Sequence, residues 1–348
     1  MLYFNNDYNE ICHPAVLKRM EALVSLQMPG YGMDDCCKEA AELIREKCTA
    51  PDVAVHFLVG GTQTNLTVIA AALRPHQGVI AADTGHINVH ETGAIEATGH
   101  KVILTPSTDG KVCLEKVRQL VLDQRQSMDA EHIVQPKMIY ISNPTEYGTL
   151  YTLAELKALY DLCKTNGLYL FVDGARMGYG LAAAGNDITL SDYARLCDAF
   201  YIGGTKCGAM FGEAVVIPNG SIAEDFRYLM KQRGGMLAKG WLLGAQFKAL
   251  LEDDLYMQIS AQADSLADQI RKTLCDLGYP LYLPGTTNQV FVTLPDGALA
   301  ELSKDFTFAI WERADDTHTT VRFCTSWATT QENVDALCAA LKETLAKV

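Results

Sequence analysis

Two apolar runs each end on a charged residue. Leu168-Tyr169-Leu170-Phe171-Val172 closes on Asp173, with Gly174-Ala175-Arg176 following. Ala199-Phe200-Tyr201-Ile202-Gly203-Gly204-Thr205 delivers Lys206. Each run reads as a buried strand that turns at its C-terminal end. A lysine amine placed there can form an imine with an aldehyde. An aspartate under a pyridine nitrogen keeps that nitrogen protonated, so the ring can accept electrons. The pair therefore suits pyridoxal phosphate. Alone, Asp173 would read as a turn cap and Lys206 as a surface residue of a Gly-rich loop. Their joint position at strand ends, where the ligand crevice of an open α/β sheet lies, carries the reading.

Other residues can join them. Val59-Gly60-Gly61-Thr62-Gln63-Thr64-Asn65 follows a strand and opens a helix. Free N–H groups at Gly61 and the Thr62 hydroxyl could cradle a phosphate. The segment lacks the Gly-Lys-Ser/Thr of a nucleotide loop and the third Gly of a dinucleotide fingerprint, so by itself it reads as a tight turn. Arg176 is placed to reach a carboxylate near the same strand ends. Arg322, in Val321-Arg322-Phe323-Cys324, either pairs with a buried acid or turns its planar fork to a substrate carboxylate. His86 and His90 have helical i, i+4 spacing, but Ile87 and Val89 stand where the zinc-protease motifs carry Glu. A metal is not expected; His86 is read as stacking on a planar cofactor.

These residues must be held by a framework. Strands are predicted at Ala54–Leu58, Gly78–Ala82, Lys101–Thr105, Lys137–Ser142, Leu168–Asp173, Ala199–Gly203 and Glu213–Ile217. Helices between them include Asn65–Ala72 and Leu153–Asn166. Such alternation argues for a mostly parallel seven-stranded sheet in a large α/β domain. One amphipathic stretch, Trp241–Leu277, leads into a small C-terminal α/β domain. Its strands are expected near Gln289–Leu294, Thr307–Trp311 and Thr320–Cys324, with a closing helix over Thr330–Lys347. The division is residues 1–245, an N-terminal segment with the large cofactor-binding domain, and residues 246–348, the small domain.

The net charge is -13, from 42 acidic and 29 basic residues, which disfavours nucleic acid or an anionic membrane as partner. Eleven scattered cysteines without a C-x-x-C pair suit reduced thiols in a cytoplasmic protein. Neither a signal peptide nor a transmembrane run is read.

Taken in order, the segments Gly61–Asn65, Gly85-His86 with Glu91 and Gly93, Val172–Arg176, Lys206, Gly234-Gly235-Met236 and Val321-Arg322 resemble a known group. It is the low-specificity L-threonine aldolases, fold-type-I pyridoxal phosphate enzymes within the β-eliminating lyase family. The resemblance implies an aspartate-aminotransferase-like fold and cleavage of β-hydroxy-α-amino acids to glycine and an aldehyde. It implies Lys206 as the Schiff-base residue, Asp173 at the ring nitrogen, His86 on the ring, and Arg176 with Arg322 at the substrate carboxylate. It also implies a homodimer or homotetramer with sites at the subunit interface, where Tyr31 would enter a neighbour's site. Asn6 stands in the family's N-terminal Arg-Ser-Asp pattern, here Asn5-Asn6-Asp7, and is expected near substrate. Where relatives carry Thr-His-Asn-Gly, this chain has Asn143-Pro144-Thr145-Glu146-Tyr147-Gly148. The base for the β-hydroxyl is therefore open among Glu146, His86 and a water held by either. Rival readings are β-elimination, decarboxylation or transamination on the same fold, a catalytically silent cofactor-fold protein, and a metal hydrolase using His86, His90 and Glu91.

Overall fold

The computed structural model describes residues 1–346. The last residue of the expected closing helix, Lys347, lies outside them. In chain order the strands are β1 (Leu2–Tyr3), β2 (Ala54–Leu58), β3 (Gln77–Ala82), β4 (Val102–Thr105), β5 (Gln135–Ser142), β6 (Tyr169–Asp173), β7 (Ala199–Gly203), β8 (Glu213–Ile217), β9 (Gln289–Pro295), β10 (Phe306–Thr307), β11 (Ala309–Arg313) and β12 (His318–Cys324).

Seven of them form one sheet in the order β2-β8-β7-β6-β5-β3-β4. Four neighbouring pairs, joining β7, β6, β5, β3 and β4, run parallel; β8 runs antiparallel to both β2 and β7. Strands β3, β7 and β8 are buried along their whole length, as a sheet covered on both faces requires. Alternate residues of β7 enter opposite layers: Phe200 and Ile202 pack in one apolar cluster, Ala199 and Tyr201 in the other.

The covering helices begin and stop on local signals. Leu153–Asn166 starts on a Thr152/Glu155 capping box and ends at left-handed Gly167. The amphipathic stretch after residue 240 is not one helix. Trp241–Leu251 and Leu255–Asp276 are separated by a short turn with Asp253 and Asp254 at positive φ. Three consecutive acids, Glu252-Asp253-Asp254, gain little from continuing a helix and favour a turn. The second helix serves two cores, with Ala263 in the large-domain cluster and Leu266 in the small-domain cluster.

The small domain has a three-stranded antiparallel sheet, β11-β12-β9. The single strand expected over Thr307–Trp311 is two strands. The first, β10, pairs with β1 from the chain's beginning, and Phe4 joins the small-domain core. So the first residues, grouped by sequence with the large domain, pack on the small one. All eleven cysteines are free. Among the described residues no helix is long and apolar enough to cross a membrane.

Candidate active site

Strands β6 and β7 bring the two chemical residues together through glycine. A Cβ on Gly174 would lie 1.9 Å from the Tyr201 carbonyl oxygen, and one on Gly203 would lie 2.3 Å from that of Ala175. No side chain fits at either place. The glycines therefore let the loops after β6 and β7 touch, and Gly203 N–H bonds the Gly174 carbonyl at 2.9 Å. Both loops open into a cleft lined by Tyr8, Gly61, Thr62, His86, Glu146, Asp173, Arg176, Tyr201, Lys206 and Glu213, among others.

Asp173 is buried at the floor. Its Oδ1 accepts from the Tyr201 hydroxyl and from Ala175 N–H at 3.0 Å. Its Oδ2 accepts from the Tyr140 hydroxyl at 2.6 Å and from Asn65 Nδ2 at 3.0 Å. Burial alone would raise its pKa, but the His86 charge and the bonds from Tyr140, Tyr201 and Ala175 outweigh it. Asp173 is thus held ionised, below the usual carboxylate range. Asn65 also bonds Glu91 Oε1 at 2.8 Å, and the same oxygen meets His86 Nδ1 at 2.8 Å. One network therefore orients His86 and Asp173. The rings of His86 and His90 lie 5.5 Å apart. Among the described residues no group of three or more His, Cys, Asp or Glu is arranged to hold a metal.

Lys206 projects into the cleft, its Nζ 5.9 Å from the Tyr8 ring centroid. Burial and the nearby Arg176 charge lower its pKa, although Asp7, Asp173 and Glu213 oppose them. A larger fraction of free amine is the consequence. Gly61 and Thr62 open the helix Gly61–Ala72, whose first-turn N–H groups have no intrahelical partner.

Arg176 does not stand free. Its Nε and Nη2 grip both oxygens of buried Asp7 at 2.6 and 3.0 Å, and Asn288 adds a bond to the same carboxylate at 2.9 Å. Burial favours neutral Asp7, but Arg176, Lys206 and Arg322 outweigh it and hold the carboxyl far below its ordinary value. Arg322 is outside the cleft lining. It bonds Gln289 Oε1 at 2.9 Å and the Asn5 carbonyl at 3.0 Å, lies 5.9 Å from the Trp311 ring, and leaves Nε buried without a partner. Among the described residues it pairs with no acid side chain. Asn6 accepts from Tyr8 N–H and shapes the N-terminal turn without lining the cleft. Tyr31 lies elsewhere: at positive φ, exposed, its carbonyl bonded to Arg227.

Glu146 lines the cleft. Its Oε1 accepts from Ser142 Oγ at 2.7 Å and from His86 backbone N–H at 2.8 Å. Burial, aided by the Asp173 charge, raises its pKa against those bonds. Its neighbour Tyr147 turns away onto Trp311, Phe291 and Tyr282.

Sequence reasoning missed Asp7, Tyr8, Tyr140, Tyr201 and Glu213 as site residues. Period-2 alternation puts Tyr140 on the face of Ser142 and Tyr201 on the face of Gly203. That signal was available; which strands are neighbours was not.

The fold and cleft define an α/β enzyme of the aminotransferase-like, fold-type-I class. An aspartate aminotransferase variant from Thermus thermophilus superposes with a TM-score of 0.73 over 99% of this chain and 91% of its own, a likeness of fold at 16% identity. The chain belongs to the beta-eliminating lyase family, which it matches over residues 12–296. Low specificity L-threonine aldolases from a Pseudomonas species and from Pseudomonas aeruginosa are 31% and 30% identical, each over 98% of this chain and 96% of the relative. A Leishmania major threonine aldolase structure has a TM-score of 0.97 and 45% identity, covering 99% of this chain and all of that one.

Proposed function

We propose that this protein is a pyridoxal-phosphate-dependent aldolase that cleaves β-hydroxy-α-amino acids of the L-threonine type to glycine and an aldehyde. The observation that carries the reading is the ionised, four-fold hydrogen-bonded Asp173 beside a Lys206 whose amine is eased toward neutrality. The threonine aldolases matched along almost the whole chain support it over the other reactions of the fold.

The donor set fits the cofactor. Lys206 would hold its aldehyde carbon, Asp173 its ring nitrogen, and Gly61 with Thr62 its phosphate. When bound, the cofactor supplies an electron sink for the pair left at Cα. The chain's own groups do the rest. Asp173 keeps a negative charge at the floor, and Tyr201, a side-chain donor that shares it, faces the cleft. His86, steered by Glu91, presents its ring from one wall. Arg176, fixed by Asp7, sets the carboxylate end of the substrate, with Arg322 behind the N-terminal segment. Holding that end orients the Cα–Cβ bond, which is the rate gain that positioning supplies. Glu146 takes the β-hydroxyl proton, directly or through a water, as the bond breaks and the aldehyde leaves. A proton returned to Cα completes glycine.

The active form in this reading is a homo-oligomer, with Tyr31 completing a neighbour's cleft. Exposed Ile11, Leu17, Val24, Leu26 and Met33 on the same N-terminal stretch supply apolar surface for such contact. The test is direct. Protein reconstituted with pyridoxal phosphate should absorb visible light, and L-threonine should yield glycine and acetaldehyde in equal amounts. Ammonia and a keto acid instead would assign β-elimination.

A further inference from the structure

The cleft holds another buried carboxyl, Glu213, that the chemistry above does not use. It begins β8, where the register sets it opposite both Gly203 of β7 and Leu58 of β2. Those strands lead into the Lys206 loop and the Gly60-Gly61 turn. Glu213 is 3% exposed yet contributes to the cleft lining. We propose that Glu213 is a positioning residue for Lys206: its carboxyl fixes the two residues before the lysine and, once ionised, holds the proton on the lysine amine.

The hydrogen bonds make the first half concrete. Glu213 Oε2 accepts from Gly204 N–H at 3.0 Å, and Oε1 accepts from Thr205 Oγ1 at 2.8 Å. Thr205 Oγ1 accepts in turn from Gly212 N–H at 3.0 Å, which closes the loop from its far side. Gly204 and Thr205 N–H also share the Gly212 carbonyl. Tyr256 and Tyr179 pin the carbonyls of Gly203 and Lys206 at 2.8 and 2.6 Å. Glu213 supplies the carboxyl of this clamp and lines the cleft.

The second half follows from what surrounds the carboxyl. Lys206 and Asp173 face it with charge, and Tyr201, Tyr256 and the Cys207 thiol face it as neutral groups. Burial pushes Glu213 up to about 8, against the bonds from Thr205 and Gly204 and the Lys206 charge. Below that pH the carboxyl is neutral and the lysine loses its proton more readily. Above it, the carboxylate retains the lysine proton. The charge of each group biases the proton on the other.

The inference rests on Lys206 being the cofactor-anchoring lysine, so the decisive measurement uses cofactor-free protein. Amine labelling with trinitrobenzenesulfonate is followed against pH, and the modified Lys206 is quantified by peptide mapping. Glu213→Gln keeps an acceptor for the loop but no charge. It should move the Lys206 midpoint down by about one unit, the scale of losing one nearby carboxylate. An unchanged midpoint in folded Glu213→Gln overturns the charge role. Glu213→Ala should reduce severalfold the yield of pyridoxal phosphate fixed to Lys206 by borohydride, with Glu213→Gln retaining most of it; full yield in Glu213→Ala overturns the positioning role. If wild-type protein fixes no cofactor on Lys206, the functional reading fails while the pH titration still decides the pairing of Glu213 with Lys206.

Discussion

The floor and the rim of the cleft are built differently. The floor is Asp173 with Tyr140, Tyr201, Asn65 and Ala175, all from the large domain, and four hydrogen bonds hold the carboxylate. The rim is drawn from three distant parts of the chain. Tyr8 comes from the N-terminal segment and Arg176 from the loop after β6; behind them stand Asp7, and Asn288 and Arg322 of the small domain. The bonds at the floor and the His86 charge keep Asp173 ionised. In the proposed reading the floor serves the cofactor and the rim the substrate carboxylate.

Removing the lysine amine or the floor charge should have the largest effect. Lys206→Ala should abolish turnover while far-UV circular dichroism and melting temperature stay near wild type, because the amine is lost and little packing with it. Measurable cleavage in this variant would refute the assignment. Asp173→Asn removes the charge that keeps a ring nitrogen protonated. Cofactor should still bind, and steady-state threonine cleavage should fall by orders of magnitude; a near-normal rate would make Asp173 structural.

Glu146 lines the cleft beside Asp173 and Arg176. Glu146→Gln retains an oxygen for Ser142 and His86 N–H but cannot accept a proton. Turnover should fall about 10²–10⁴-fold, the usual range for a lost general base. The wild-type rate should fall as pH drops through the upward-shifted Glu146 titration, and the variant should lack that acidic limb. An unchanged rate and profile would pass the role to His86 or water.

The rim variant Asp7→Asn should affect turnover least and show most in KM and stability. Losing half of a buried ion pair costs about 3–5 kcal/mol, read as a lower urea midpoint. The pH dependence has a definite sign. The folded carboxyl lies below its unfolded value of 3.8, so its contribution is complete above that pH and is lost as pH falls beneath it. Asp7→Asn should flatten that part of the acid-stability curve. Should KM for L-threonine stay fixed while stability drops, Arg176 would be a structural tie and not part of the substrate clamp.

Much of the framework was legible from local pattern. The bounds of β2, β7 and β8 match the runs read from sequence, because a short apolar run between glycines and polar turns has few other uses. Lys206, Asp173, His86 and Glu146 all reach the cleft, since each follows such a run. The break at Glu252–Asp254 was less legible: the apolar spacing continues across it, and only the run of acids marks the turn.

Local spacing therefore specifies the strands and helices and the charged residues at strand ends. These depend on spacing over a few residues, which hydrophobic burial and backbone geometry turn directly into structure. Tertiary structure decided who meets whom. Arg176 is paired with Asp7 across 169 residues, and Asp173 with Tyr140 and Tyr201 from strands on either side. Glu213 reaches the Lys206 loop because β8 is inserted antiparallel between β2 and β7. Strand order is set by the packing of the whole sheet, and no local pattern encodes it.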